Sequence, residues 1–251
     1  MARRSLVLHT FVSNLETTVR NRRRAHIVTR SVVDGHITID VWSDVACPWC
    51  YIGKRNLETA LSQFRSGDGA PVVDVEYHSF ELSPDTPVEF EGSAADFLMS
   101  HRGVSPGQAR QMIDRVVGIA AGAGLAYDYD ALQHTNTIRA HQLLHYAKAH
   151  GLQIEMKERL LSAYFVEGRH IGRIDELGDL AADVGLDREG AIRALESEEY
   201  LADVRADQRQ AMAYGINGVP FFVIGGKYGV SGAQPSEVFA SALTRVTEEE
   251  A

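Results

Sequence analysis

Apolar and polar residues alternate near the start of the chain and again near its end. Residues 36–43 place isoleucine, isoleucine and valine on one face and mostly polar side chains on the other, which predicts a strand. Residues 48–64 repeat their apolar side chains at roughly helical spacing, and residues 72–82 alternate once more. This β-α-β order predicts two parallel strands joined by a right-handed crossover helix.

The middle of the chain, from about residue 93 to residue 214, has helical rather than strand-like patterns. Ser105-Pro106-Gly107-Gln108 resembles a capping box with proline at the first helical position. Glycine follows the predicted ends of several helices, as is common at helix C-termini. The predicted helices span residues 106–122, 137–150, 154–165, 175–184, 187–195 and 198–214.

The C-terminal part returns to strand patterns. The pattern predicts a strand at Phe221–Ile224 and a partner strand at Lys227–Val230. A tight hairpin turn at Gly225-Gly226 is predicted to join them. Residues 235–247 predict a last helix that begins at a proline. The order β-α-β, helices, β-β-α predicts an α/β domain whose two halves are separated by a helical insertion subdomain. The predicted boundaries are residues 35–92 and 198–247 for the two halves and 93–197 for the insertion.

Composition and charge indicate an acidic globular body preceded by a basic segment. A length of 251 residues with 45% apolar residues suits one large domain or two small ones. The net charge is −9, but residues 1–30 carry seven arginines and one glutamate, which leaves −15 on the rest. An acidic body argues against nucleic acid as a partner. We expect residues 1–34 to form a disordered or loosely helical extension.

The basic segment does not resemble a secretory signal or a membrane span. Its short apolar runs are interrupted at His9 and Thr10, and no small-residue cleavage site follows. The segment is interpreted as a targeting peptide, a basic arm, or sequence from an upstream translation start that the cell does not use, and the last interpretation is favoured. We therefore expect a cytoplasmic protein without a membrane partner, in which a cysteine pair is catalytic rather than structural. Its oligomeric state is left open between a monomer and a homodimer.

The only two cysteines, Cys47 and Cys50, lie where the first strand gives way to the first helix. Pro48 suits the first helical turn, because its missing N–H would lack a partner there anyway. Unpaired N–H groups and the helix dipole favour a thiolate at this position, so we predict a lowered pKa for Cys47. Cys47 is the predicted nucleophile, and its sulfur must be reachable from solvent. Cys50 lies one turn further on and is predicted to resolve a mixed disulfide.

Other roles for the two cysteines and their neighbours are less well supported by the sequence. A disulfide between such close cysteines closes a tiny loop and stabilises little, and a zinc site needs two more ligands. Two ordinary buried thiols remain open as an interpretation. His141 and His145 share a helix face but lack a third ligand, so no metal is predicted. Lys54 is expected to be a solvated helix lysine, and Asp44 is expected to oppose the Cys47 thiolate unless its side chain turns away.

Four separate motifs follow one another along the chain: Cys47-Pro48-Trp49-Cys50-Tyr51-Ile52-Gly53-Lys54, Asn136-Thr137-Ile138-Arg139-Ala140-His141, Val219-Pro220-Phe221-Phe222 and Gly229-Val230-Ser231-Gly232-Ala233-Gln234-Pro235. In this order they resemble the DsbA family, and within it the FrnE-like branch. The resemblance covers roughly residues 36–243 and implies a thioredoxin fold with a large all-helical insertion after the second strand. It also implies a cis peptide between Val219 and Pro220, beside the Cys47 sulfur.

The substrate-binding residues are expected around these motifs. An extended client segment is expected to pair with the backbone of Val219, next to Pro220. A shallow apolar surface is predicted from Trp49, Tyr51 and Phe222. The resemblance further suggests that Asn136 and His141 line the cleft over Cys47. The Pro48-Trp49 dipeptide is expected to tune the redox potential, because it lies within reach of that sulfur.

The motifs predict an enzyme, a thiol–disulfide oxidoreductase. It is expected to exchange electrons with protein or small-molecule thiols through a mixed disulfide. Disulfide isomerase activity is left open as a further activity. No bound cofactor is predicted, and glutathione is left open as a co-substrate. One alternative is a glutathione-dependent isomerase or transferase for a small aromatic substrate, although such enzymes typically have serine in place of Cys47. The other is a redox-independent chaperone that binds clients at the apolar surface.

Overall fold

The computed structural model describes residues 9–10, 36–65 and 71–250 of the chain. The first half contains strands β1 His9–Thr10, β2 His36–Ser43 and β3 Val72–Ser79, with helix α1 Pro48–Arg65 between β2 and β3. The helices that follow are α2 Ala94–Arg102, α3 Pro106–Gly122, α4 Ile138–Ala149, α5 Gln153–Phe165, α6 Ile174–Asp183, α7 Arg188–Glu196 and α8 Leu201–Ala213. The last elements are β4 Phe221–Ile224, β5 Tyr228–Ser231 and α9 Ser236–Glu250.

The strands form one sheet in the order β1-β5-β4-β2-β3. β2 and β3 are parallel, whereas β4 is antiparallel to both β2 and β5. In this register, Val41 of β2 lies between Tyr77 of β3 and Phe222 of β4. The sheet, its crossover helix and the insertion after β3 confirm the predicted α/β thioredoxin fold.

Apolar residues on one face of the sheet pack against α1 and α9. Alternate residues of β2 are buried there with Leu57 of α1 and Phe239 of α9, and the rings of Phe222 and Phe239 meet edge to face with centroids 4.7 Å apart. On the opposite face, Trp42 packs with Ala211 of α8. Because both faces are covered, the C-terminal end of β2 and the start of α1 have a fixed position.

The inserted helices have an apolar core of their own, which also includes residues of α1. Tyr51 and Ile52 of α1 belong to the same buried cluster as Leu143 of α4 and Leu160 of α5. The insertion therefore packs directly against the first turns of α1, where the two cysteines lie.

The described structure corrects three expectations about secondary structure. His9 and Thr10 form a two-residue edge strand paired with β5, whereas we expected no strand before residue 36. The rest of residues 1–34 lies outside the described residues. Helix α2 was not predicted, because Ala94 is its only buried residue and its apolar periodicity is weak. Strand β3 ends at Ser79 rather than at residue 82, and the Leu82 N–H donates instead to the Asp44 carboxylate at 2.8 Å.

Two local predictions are confirmed in detail. The Ser105 side chain accepts a hydrogen bond from the Gln108 N–H while the Gln108 side chain accepts one from the Ser105 N–H, which is the predicted capping box. Gly225 and Gly226 connect β4 and β5 with φ angles of 59° and 65°. Glycine adopts these positive values readily, so this hairpin turn follows from the sequence.

Candidate active site

Cys47 and Cys50 lie at the start of α1, just beyond the C-terminal end of β2. Both are free thiols, and the Cys50 N–H donates to the Cys47 carbonyl at 3.0 Å, which closes the first turn. The Cys47 thiol donates to the Val219 carbonyl at 3.5 Å, and the Val219–Pro220 peptide bond is cis. The end of β2, the start of α1 and the loop before β4 therefore all lie next to the Cys47 sulfur.

A cavity of about 460 Å³ opens beside Cys47, and we call it the side cavity. Cys47 is only 3% exposed, so almost none of it lies on the outer surface of the protein. Its sulfur is instead reached through this cavity, which Cys47 lines and Cys50 does not. The lining residues are Asp44, Ala46, Cys47, Pro48, Trp49, Leu82, Ser83, Ala94, Phe97, Leu98, His101, Arg102, Met112, Ile113, Arg115, Val116, Tyr129, Leu132, His134, Thr135, Thr137, Tyr164 and Phe165.

A buried carboxylate lies close to the cysteines. Asp44 accepts hydrogen bonds from the N–H groups of Ala46 and Leu82 and pairs with His141 Nε2 at 3.2 Å. Burial acts to raise the pKa of Asp44, but His141 and the two backbone donors outweigh it and lower that pKa. The sequence had left open whether this carboxylate turns away from Cys47. In the structure it does not, and its negative charge raises the pKa of Cys47.

The predicted lowering of the Cys47 pKa is wrong. With both thiols reduced, the hydrogen bond with Cys50, burial and the negative charges of Cys50 and Asp44 raise the pKa of Cys47 well above its usual value. The pKa of Cys50 is lowered: burial acts to raise it, but the hydrogen bond from Cys47 and the charge of Lys157 prevail. Once the reduced pair loses one proton, the two sulfurs share a single negative charge, and the helix N-terminus alone does not decide which sulfur holds it.

Lys157 of α5 supplies the cation beneath the pair. It is 1% exposed, its Nζ has no hydrogen-bond partner among the described residues, and it lies 5.4 Å from the centre of the Tyr77 ring. Burial lowers the pKa of Lys157, while the negative charges of Cys50, Asp44 and Cys47 act in the opposite direction. The role of Lys157 was not predicted, because no residue near it along the chain connects it to the cysteine motif.

The insertion also contacts the start of α1 through Tyr127. Its hydroxyl donates to the Pro48 carbonyl at 2.8 Å, and its ring stacks on Phe165 with centroids 4.6 Å apart. No signal in the sequence identified this contact, because Tyr127 lies in a loop between α3 and α4.

The predicted apolar substrate surface is only partly present. Trp49 is 39% exposed and lines the side cavity. Tyr51 and Phe222 are buried, which corrects their assignment to the surface. The Tyr51 hydroxyl donates to Glu158 at 2.6 Å, and Phe222 packs on α9. Both aromatic rings face protein cores rather than a client.

Asn136 and His141 do not line the side cavity, contrary to the expectation from the resemblance. The Asn136 side chain donates to the Pro84 carbonyl at 2.9 Å and accepts from the Ile138 N–H at the start of α4. His141 reaches the site indirectly, through its pairing with Asp44. These two residues hold the loop and helix in place behind the cavity.

Lys54 differs from the expectation of a solvated side chain, whereas His145 agrees with the expectation of an ordinary surface or packing histidine. Lys54 is buried and pairs with Glu58 and Glu158. His145 is buried against Asp207 with Nε2 at 3.0 Å from the carboxylate, as a packing histidine. Within the described ranges, no group of three histidine, cysteine or acidic side chains is arranged to hold a metal ion.

The fold and the cysteine pair define a thioredoxin-type redox protein, and comparisons with known proteins place it more narrowly. Residues 38–244 match the DSBA-like thioredoxin domain. The chain belongs to this DsbA-like family of disulfide oxidoreductases, as the motifs predicted. The finer assignment to the FrnE-like branch stays a prediction.

Similar proteins cover nearly the whole described chain. The probable DsbA oxidoreductase of Streptomyces coelicolor is 40% identical, with a TM-score of 0.78 over 85% of this chain and 91% of that one. The uncharacterized protein YwbO of Bacillus subtilis is 30% identical over 216 residues, which are 83% of this chain and 96% of that protein. The cytosolic disulfide reductase DsbM of Pseudomonas aeruginosa shares the fold at 22% identity and a TM-score of 0.59, over 84% of this chain and 99% of that one. None of the helices in the described ranges is long and apolar enough to cross a membrane.

Proposed function

We propose that the protein exchanges disulfides with protein or small-molecule thiols through a mixed disulfide on Cys47. The observation that supports this assignment is the position of the two sulfurs, since Cys47 lines the side cavity and Cys50 lies behind it, one helical turn away. An incoming disulfide therefore meets Cys47 first. We further propose a reducing cytoplasm as its setting, since both cysteines belong to the motif and none is left for a structural disulfide.

The exchange begins from the single negative charge that the pair shares. A proton moves from Cys47 to Cys50, and the Cys47 thiolate attacks a substrate disulfide, forming one new S–S bond and releasing one substrate thiolate. Cys50 then gives its proton to that released thiolate and attacks Cys47. The second substrate thiolate leaves, and the two electrons of the dithiol have passed to the substrate. The reverse sequence oxidises a substrate dithiol.

The surroundings of the pair support both directions. Lys157 stabilises the thiolate of the reduced form without making a hydrogen bond that would fix it to one sulfur. The Val219 carbonyl holds the Cys47 thiol at 3.5 Å, next to the position where an extended substrate segment would pair. Glutathione fits the class of small thiols, as a co-substrate rather than a bound cofactor.

Single-cysteine variants test the proposal. Cys47→Ser should abolish the protein's acceleration of insulin reduction by dithiothreitol, because no thiolate remains at the cavity. Cys50→Ser should accumulate a mixed disulfide that mass spectrometry detects, because Cys47 still attacks but nothing resolves the product. The Cys47→Ser, Cys50→Ser double variant is the matched control, because it has no thiol and any substrate that stays with it is bound non-specifically. Full exchange activity in Cys47→Ser would overturn the assignment.

A further inference from the structure

The side cavity has a size and composition that disulfide exchange by itself does not require. Its volume of about 460 Å³ lies in the range of small-molecule sites, which is roughly 300–1,000 Å³. It is bounded by the N-terminal turn of α1 on one side and by α2 and α3 of the insertion on the other. A cavity of this size, partly open to solvent, can hold a small ligand beside Cys47.

Aromatic rings form much of the cavity wall. Phe97 and His134 are in contact, with ring centroids 3.6 Å apart, and Tyr129, Phe165 and the half-exposed Trp49 also line it. Rings of this kind pack best against flat apolar groups in stacked or edge-to-face arrangements. The walls therefore favour a ligand with a planar apolar body.

The charged side chains at the cavity favour an anion. Arg102 at the end of α2 and Arg115 on α3 both line it, are exposed, and have no acidic partner within the described part of the chain. Asp44 is the acidic lining residue, and its two oxygens are already engaged by backbone N–H groups and His141. Two guanidinium groups without an acidic partner, lining one cavity of an acidic protein, favour an anionic group such as a carboxylate.

An independent feature of the wall also indicates a ligand. His134 is buried, and its Nδ1 lies 2.8 Å from the Tyr164 hydroxyl, but its Nε2 has no partner among the described residues. Burial lowers the pKa of His134 to about 4, so the ring is neutral at pH 7. A neutral imidazole with one nitrogen engaged still has the other available for a hydrogen bond. A buried polar atom without a partner is costly unless a ligand completes it.

We propose that the side cavity binds low-molecular-weight thiols and disulfides that have a planar apolar body and a carboxylate, and presents their sulfur to Cys47. The apolar body lies beside Phe97 and Phe165, a polar atom of the ligand pairs with His134 Nε2, and the carboxylate lies at Arg102 and Arg115. The inference rests on the proposed function for the chemistry at Cys47, where the exchange proceeds as described above. Binding itself requires neither cysteine.

A ligand that cannot exchange separates binding from chemistry. The probe is 4-(methylsulfanyl)benzoate, an aromatic thioether with a carboxylate, and its uncharged methyl ester is the matched compound. Both are titrated into the Cys47→Ser, Cys50→Ser double variant of the full chain by isothermal calorimetry. We expect the carboxylate to bind about tenfold more tightly than the ester, the effect of roughly one charge-assisted pair.

Substitutions of the two arginines that line the side cavity test whether they bind the carboxylate. Arg102→Gln and Arg115→Gln are made in the same double-variant background. Each should weaken binding of the carboxylate probe about fivefold and leave binding of the ester unchanged, because only the charge is lost. Arg110→Gln is the matched control, since Arg110 lies on the same helix as Arg115 but does not line the cavity. It should change neither affinity.

Several outcomes would overturn the proposal. These are no binding of either compound, equal affinity for both, a loss in Arg110→Gln as large as in Arg115→Gln, or tighter binding of S-methylglutathione than of the aromatic probe. Insulin reduction by the wild-type protein keeps the two proposals apart. Exchange without probe binding rejects the ligand class alone, whereas probe binding with full exchange in Cys47→Ser rejects the exchange mechanism alone.

Discussion

At the scale of single residues, the site depends on a buried cation contributed by the insertion. Lys157 is on α5, far along the chain from Cys50, yet its positive charge lowers the pKa of that thiol. Such an ammonium group is expensive to bury without a hydrogen-bond partner. Its presence is therefore better explained by the thiolate that it stabilises than by a contribution to folding.

Replacing Lys157 with methionine should raise the pKa of the Cys50 thiol, because the neutral side chain no longer stabilises the thiolate. The absorbance of the reduced protein at 240 nm, followed against pH, measures this change. The redox potential should fall in parallel, since a less stable thiolate makes the disulfide a weaker oxidant.

Lys157→Arg is the matched variant, since it keeps the positive charge and should keep most of the thiolate stabilisation. The oxidised Lys157→Met protein should unfold at an equal or higher denaturant concentration than the oxidised wild type, because a buried ammonium group that no thiolate compensates in this state has been removed. An unchanged thiolate pKa in Lys157→Met would show that the lysine has no role at the dithiol.

At the scale of elements, α1 lies close to the loop before β4 because Gly53 has no side chain. A Cβ atom at this position would lie 3.1 Å from Pro220 Cγ and 3.2 Å from Phe222 Cζ, closer than side chains normally pack. The absence of that atom lets the loop place the Val219 carbonyl against the Cys47 sulfur.

Gly53→Leu should destabilise the protein by about 2 kcal/mol, the usual size of overpacking, and should also slow disulfide exchange by displacing the loop. Gly118→Leu on α3 is the matched control, because a Cβ there meets nothing within 4 Å. Leucine should raise stability slightly at that exposed position through its better helix propensity. Urea unfolding of both variants makes the comparison, and equal stabilities would contradict the close packing.

Local patterns were sufficient to predict most elements, and contacts between distant parts of the chain were not predictable from them. Periodicity predicted β2, α1 and the β4–β5 hairpin, because each buries a regular face. Helix α2 was missed because Ala94 is its only buried residue. Tyr51 resembled a surface residue of the motif, yet it bonds to Glu158, which is 107 residues away. The motif predicted the two cysteines, but their pKa values depend on Asp44 and Lys157.

At the scale of the whole molecule, a buried charge cluster joins the sheet to α8. His78 of β3 lies between Asp40 of β2 at 2.8 Å and Asp207 of α8 at 3.1 Å, and it stacks on Trp42. Burial acts to lower the pKa of His78, but the two carboxylates outweigh it and raise that pKa from 6.5 to about 9.

Because the folded-state pKa lies above the unfolded value, His78 should stabilise the fold fully below pH 6.5, and this contribution should be lost as the pH rises through about 9. Its size is about 3 kcal/mol by the usual conversion. The difference in unfolding free energy between the wild type and His78→Gln, measured by urea denaturation from pH 6 to pH 10, should shrink by about that amount. A pH-independent difference would show that the ring acts by packing alone.

The hydrogen bond from Tyr127 to the Pro48 carbonyl has a consequence for protein engineering. A minimised scaffold that spliced β3 straight to β4 would retain every strand of the sheet and both cysteines. It would nevertheless lose the anchor on the opening turn of α1, the buried ammonium and two walls of the side cavity. Transplanting the cysteine loop therefore does not transplant its reactivity, and the inserted helices belong to the minimal catalytic unit.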